Sequence, residues 1–110
     1  MLFRSVRLAH ATVLALWRFP RPVIAAVNGP ARGAGTELAL ACDLRAMAAH
    51  ARLGFLQGKL AVTTGWGGGY DLIRRVGSST ALRLLGGAAM LSATEAASLG
   101  LADEIGRAHV

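Results

Sequence analysis

The chain is short of several things. One cysteine among 110 residues rules out an internal disulfide, and fits a reducing, cytoplasmic compartment. Aromatics make up only 5% of the sequence, too few for a surface that stacks nucleic-acid bases. No apolar stretch approaches the roughly 20 residues needed to cross a bilayer. Acids are missing from the first third: none precedes Glu37, although Arg4, Arg7, Arg18, Arg21 and Arg32 do. The resulting net charge of +6 suits anionic partners, but the arginines are scattered and form no nucleic-acid stripe. His10, His50 and His109 lie far apart and Cys42 has no neighbour at ligand spacing, so no metal site is expected.

Hydrophobic residues are plentiful instead, at 54% against 16% charged. That exceeds what a small soluble monomer needs. It implies packing against other subunits, or membership of a larger fold that covers the surplus. The length suits one domain spanning residues 1–110. The N-terminal "MLFRSVRLAHATVLALWRFP" has a brief apolar run broken by Arg18. No small-residue cleavage pattern follows closely, so it reads as structure and not as a targeting peptide.

Leu2, Val6, Ala9, Val13 and Leu16 recur at helical spacing, predicting an amphipathic helix over 2–17 that Pro20 and Pro22 end. "PVIAAV" (22–27) predicts a buried strand, "NGPARGAG" a loop and "TELALAC" (36–42) a short helix. Strands are expected over 43–48 and 51–55, then a long glycine-rich loop, "GKLAVTTGWGGG". "YDLIRRVG" is a helix closed by Gly77, and "SSTALRLLGG" a second, capped by Ser78 or Ser79 and stopped by Gly86. "LSATEAASLG" carries a capping box, Ser92 with Glu95, and Gly100 as its stop. "LADEI" is a last strand, and "GRAHV" continues no pattern. Alternating strands and helices give an α/β class with a largely parallel sheet.

Familiar glycine motifs fail on spacing. Counting from Gly33 and Gly35, the third Rossmann position is Leu38, and from Gly65 and Gly67 it is Tyr70. "GFLQGK" is one residue short of a P-loop, and no G-x-S-x-G occurs. Cys42, inside an apolar helix, reads as a small core residue.

"NGPARGAGTELALACD" (28–43) is more informative. A strand feeds a glycine loop, and a helix starts where the glycines end. The first N–H groups of that helix lack intrahelical partners, and its dipole favours negative charge there. Gly33 and Gly35 let backbone approach a ligand, so the place suits an anion or a developing oxyanion. Glu37 in the first turn either meets that ligand or simply favours the helix start electrostatically; the spacing allows both.

Taken together, "RPVIAAVNGPARGAGTELALACDLRAMAAHARLGF", "GWGGGYDLIRRVGSSTALRLL" and "LSATEAASLGLADEI" resemble the crotonase (enoyl-CoA hydratase/isomerase) superfamily over residues 17–105. The resemblance implies a ββα superhelix, usually trimer-based homo-oligomers, and acyl-CoA thioesters as substrates. No cofactor is implied beyond the coenzyme A of the substrate. Two backbone N–H groups would form an oxyanion hole for a thioester enolate. The second donor falls on Ala34, between Gly33 and Gly35, where glycine is common. The first catalytic glutamate falls on Glu37. The second falls on Gln57, an amide that orients a group but takes no proton at neutral pH. The upstream donor loop and the helices after the last strand would lie outside this chain, making it the central part of such a domain. Trp66 and Gly67 would border the acyl pocket, with Trp66 as plain core the alternative. Arg32 would meet a coenzyme A phosphate or stay solvated. A tryptophan at 66 beside a non-glutamate at 57 is similar to the methylmalonyl/ethylmalonyl-CoA decarboxylase-like branch. An inactive or assembly-only piece is the remaining possibility.

Overall fold

The computed structural model describes residues 2–60 and 64–106, with side chains from residue 4 onward. Residues 61–63 of the glycine-rich loop, and His109 with all but the first residue of "GRAHV", lie outside the described residues.

Helix α1 (Leu2–Arg18) carries its buried side chains, Ala9 and Val13, one turn apart, and Pro20 and Pro22 follow its end. Val6 on the same stripe stays exposed. Strand β1 (Ile24–Val27) starts two residues later than the expected strand, because the prolines hold the chain off the ladder. Inside the expected loop lies a two-residue strand, β2 (Ala31–Arg32). Helix α2 (Ala34–Ala41) begins two residues before the expected start, with Gly33 as its N-cap at φ +52°. Cys42 is the buried C-cap residue, not a member of the helix interior.

Strands β3 (Leu44–Ala48) and β4 (Arg52–Gly54) follow, and then a 3₁₀ turn, Leu56–Leu60, where only loop was expected. Helix α3 (Gly68–Val76) starts within the glycine run and closes at Gly77. That same glycine caps α4 (Ser78–Gly87), so neither Ser78 nor Ser79 is the cap. Helix α4 ends past Gly86, at Ala88 in a left-handed conformation. A two-residue strand, β5 (Leu91–Ser92), leads into α5 (Ala93–Ser98), whose capping box is the expected Ser92–Glu95 pair. Leu99 is the C-cap of α5, and Gly100 follows in the left-handed region. The final strand, β6 (Glu104–Gly106), starts three residues into the expected one and ends one residue past it.

The class is α/β, with two small sheets in place of one. Strands β1, β3 and β6 form a wholly parallel sheet in that order. In the second, β2 pairs parallel with β4, and β4 antiparallel with β5. The core gathers Leu40, Met47, Leu53, Phe55, Leu72 and Leu101 between the sheets and helices α2 to α5. Each such side chain contributes about 1.5–3 kcal/mol on burial.

Two arginines work inside this apolar frame. Arg45, 1% exposed, donates through Nε to the Leu101 carbonyl at 2.6 Å and through Nη1 to those of Cys42 at 3.0 Å and Ala39 at 3.4 Å. Arg75 donates to the carbonyls of Leu40 at 3.0 Å and Cys42 at 2.9 Å. Both therefore satisfy orphan carbonyls at the C-terminal end of α2, where the dipole favours cations. Burial, with Arg75 nearby, pushes the pKa of Arg45 below its usual value, and Asp103 works against that shift. Helix α2 is thus gripped at its base, which fixes the residues of its first turn.

Candidate active site

Glu37 is 2% exposed in the first turn of α2, yet it does not cap its own helix. Its carboxylate reaches across to the start of α3. Oε1 accepts the Trp66 N–H at 2.8 Å and the Gly68 N–H at 3.0 Å. Oε2 accepts from Gln57 Nε2 at 2.9 Å. A carboxylate oxygen has two lone-pair sites, so among the described residues Oε1 is saturated and Oε2 keeps one site without a partner. The sequence offered two roles for Glu37: meeting a ligand or favouring its own helix start. The structure adds a third, since the carboxylate supplies the N-terminal capping that α3 lacks from any side chain of its own N-cap, Gly67.

Gly68 makes this possible. A Cβ there would overlap Cγ of Glu37 and lie 2.8 Å from its Cβ and 3.0 Å from Oε1. Gly67, at φ +82°, gives the left-handed turn that aims both N–H groups at one oxygen.

Gln57 sits on the 3₁₀ turn beside the N-cap of α2, its amide about 3.7 Å from where a Cβ of Gly33 would project. One amide end holds Glu37; the other, Oε1, is buried with no partner among the described residues. An acceptor left open in that way would take an O–H or N–H from a bound molecule. Ala34 is the first residue of α2, so its N–H has no intrahelical partner. Thr36, fully buried, pins the loop before it: its Oγ1 lies 2.8 Å from the carbonyl oxygens of Ala31 and Gly54.

Gly33, Glu37, Gln57 and the backbone from Trp66 to Gly68 therefore converge, drawn from α2 and its N-cap, the 3₁₀ turn and the entry to α3, with Ala34 next to Gly33 at the start of α2. Gly35 points elsewhere: it lines a separate cavity of about 370 Å³ with Val27, Asn28, Pro30 and Leu38. Trp66 is half-buried. It borders two apolar hollows against α1, one of about 290 Å³ shared with His10, Val13, Leu14 and Trp17, the other of about 370 Å³ with Ser5, Leu8 and Leu38. Arg32 is exposed and lies on β2, not in a loop. Among the described residues no cluster of His, Cys, Asp or Glu could hold a metal ion, and no helix is long and apolar enough to cross a membrane.

The profile of the family described as enoyl-CoA hydratase/isomerase matches residues 7–109. The chain belongs to the enoyl-CoA hydratase/isomerase family. Human mitochondrial methylglutaconyl-CoA hydratase is 41% identical over 96 residues, covering 87% of this chain and 28% of that protein. Ethylmalonyl-CoA decarboxylase of Xenopus laevis is 41% identical over 98 residues, covering 89% and 33%. The crystal structure of an enoyl-CoA hydratase from Bacillus anthracis superposes with a TM-score of 0.94 at 39% identity, covering 98% of this chain and 42% of that one. The chain thus spans about a third of the curated relatives it matches, and its α/β architecture is that of the family.

Several residues of the site were not foreseen. Gly68 fell within the expected glycine-rich loop, and His10, Trp17 and Asp71 within expected helices, with no role at this site assigned to any of them. Asp71 is 2% exposed in the first turn of α3, with Oδ2 buried and unpartnered among the described residues and Oδ1 3.8 Å from Arg74 Nη1. Burial pushes its carboxyl above the usual range, against the opposing pull of the Trp17 indole and of Arg75, Arg74 and Arg45. A charged residue at every third or fourth place of "YDLIRRV" hid this, since such patterns normally face solvent.

Proposed function

We propose that the protein carrying this chain acts on acyl-CoA thioesters by stabilising an enolate, with Glu37 handling the proton. The observation that carries this is the lone-pair site on Glu37 Oε2 that has no partner among the described residues, next to an open amide acceptor and the start of α2. In this reading the Ala34 N–H is one of two oxyanion donors to the thioester carbonyl. Gln57 holds Glu37 and presents Oε1 to a substrate or water hydrogen. Trp66 and Gly67 border the acyl group, while Gly33 keeps a side chain off the approach to the helix start and Gly35 faces the separate cavity beside Leu38. No cofactor is required, because the coenzyme A belongs to the substrate. The working protein is a homo-oligomer built on trimers, in the reducing cytoplasm.

Hydration by two carboxylates is disfavoured, since an amide at 57 cannot take the second proton. A decarboxylase-like reaction needs less: carbon dioxide leaves an α-carboxylated thioester, its bonding electrons form the enolate, and one acid protonates the carbon. The amide at 57 and the similarity to a decarboxylase favour this second reading.

The test uses the whole protein with crotonyl-CoA and with methylmalonyl-CoA, following enoyl absorbance and carbon dioxide. Glu37→Gln should lower turnover of the active substrate by about 10²-fold or more. Turnover indifferent to that change would remove Glu37 as acid or base. Turnover of neither thioester would favour a non-catalytic chain.

A further inference from the structure

The backbone from Gly65 to Gly68 is held from two sides in strict alternation. Glu37 takes the N–H groups of Trp66 and Gly68. Helix α1 takes the residues between them. His10 Nε2 lies 2.8 Å from the Gly65 carbonyl oxygen, which can only accept, so the ring donates. The indole edge of Trp17 lies over Gly67, its Cη2 and Cζ2 at 3.2 and 3.3 Å from where a Cβ would stand. Trp17 is fixed in turn by a tilted contact with Tyr70, ring centroids 6.4 Å apart. The Arg74 guanidinium lies 5.6 Å from the Tyr70 ring centroid and completes the stack.

We propose that His10 and Trp17 are positioning residues, through which α1 presses the 65–68 segment onto Glu37 and so sets which lone pair of its carboxylate faces the substrate. Neither touches Oε1 or Oε2. The donors that saturate Oε1 belong to a glycine segment that has little stiffness of its own. With α1 displaced, both N–H groups can swing away and Oε1 competes with Oε2 for the proton. Displacements of about 1 Å in such a support cost on the order of 10²-fold in rate. This role rests on the function proposed above, but it has a consequence independent of turnover: protection of two particular amides.

The experiment measures hydrogen–deuterium exchange in the ligand-free whole protein, with the Leu53 and Met47 amides of the core strands as reference. In His10→Ala and Trp17→Leu, exchange at Trp66 and Gly68 should rise at least about 10-fold while the reference amides hold. His10→Gln, whose amide can donate to the same carbonyl, should restore protection. In kinetics, the His10→Ala loss should fall on kcat more than KM and shift the pH–rate profile, and His10→Gln should recover both. Unchanged exchange at 66 and 68 overturns the proposal. So does a uniform rise at every amide with His10→Gln no better than His10→Ala, because α1 would then support the whole fold and not this segment. If the two amides respond but no thioester is turned over, the proposed function fails and the support of Glu37 by α1 stands.

Discussion

Replacing Gly68 by alanine tests the tie between α2 and α3 directly. The new Cβ would overlap Cγ of Glu37 and stand 3.0 Å from Oε1, closer than a methyl group tolerates. Either the carboxylate retreats or the start of α3 lifts, and each route lengthens the bonds from Trp66 and Gly68. Overpacking a tight site costs about 1–3 kcal/mol. Hydrogen bonds to a charged group contribute about 1.5–3 kcal/mol each, part of which is lost. The helical gain from alanine returns under about 1 kcal/mol. The expected net destabilisation is about 2–4 kcal/mol, from the sum of these terms. Gly35→Ala is the internal control. It too is helical, but nothing lies within 4 Å of its would-be Cβ. It should be neutral or stabilising by up to about 1 kcal/mol. Urea unfolding would read both as midpoint shifts at constant m. In a Glu37→Ala background the Gly68→Ala penalty should shrink by at least about 1 kcal/mol, because Cγ and Oε1 are gone and only the contact with the residue-37 Cβ at 2.8 Å remains. Equal midpoints for the two glycine variants, or a penalty unchanged without the carboxylate, would refute the steric tie.

Three further outcomes follow from the same contacts. Asp71 has its folded pKa raised by burial, so its stabilising contribution is full below the unfolded pKa and is lost as pH rises through the folded one. Asp71→Asn should therefore be more stable than wild type at neutral pH, with the advantage fading on acidification; a pH-independent difference in urea midpoints would contradict this. Arg45→Lys should cost about 2–3 kcal/mol, since one ammonium cannot serve the Leu101, Cys42 and Ala39 carbonyls at once, and thermal melts comparing Lys with Met would show lysine giving little rescue. Ser92→Ala should lose about 1 kcal/mol by removing the hydroxyl that accepts the Glu95 N–H at 3.1 Å, seen as a lower melting temperature.

The helices and their order were legible in local chemistry. The Ser92–Glu95 capping box and the Gly77 stop were readable because each is a contact between residues a few places apart. The two-residue strands β2 and β5 were not, since they exist only through pairing with β4 and carry no period of their own. At the site, Glu37 and Gln57 could be named by resemblance, and the glycines around Ala34 by loop chemistry. That the Glu37 carboxylate turns away from its own helix could not. It depends on Gly68, 31 residues on, and on an α1 that folds back over Gly65 and Gly67. Arg45 left a faint signal, a lone charge in an otherwise apolar strand, which in a buried sheet must find carbonyl partners.

The bond from Gly68 to Glu37 also closes a ring in the chain. It joins positions 31 apart by a carboxylate and two amides, with no covalent link. Closing a flexible loop of that length costs roughly 3 kcal/mol in chain entropy, about what two charge-assisted hydrogen bonds return. The closure is therefore nearly balanced by itself, and the packing of β3, β4 and the 3₁₀ turn inside the ring tips it shut. A polypeptide built in this way closes this corner of the candidate site only once the enclosed strands are packed.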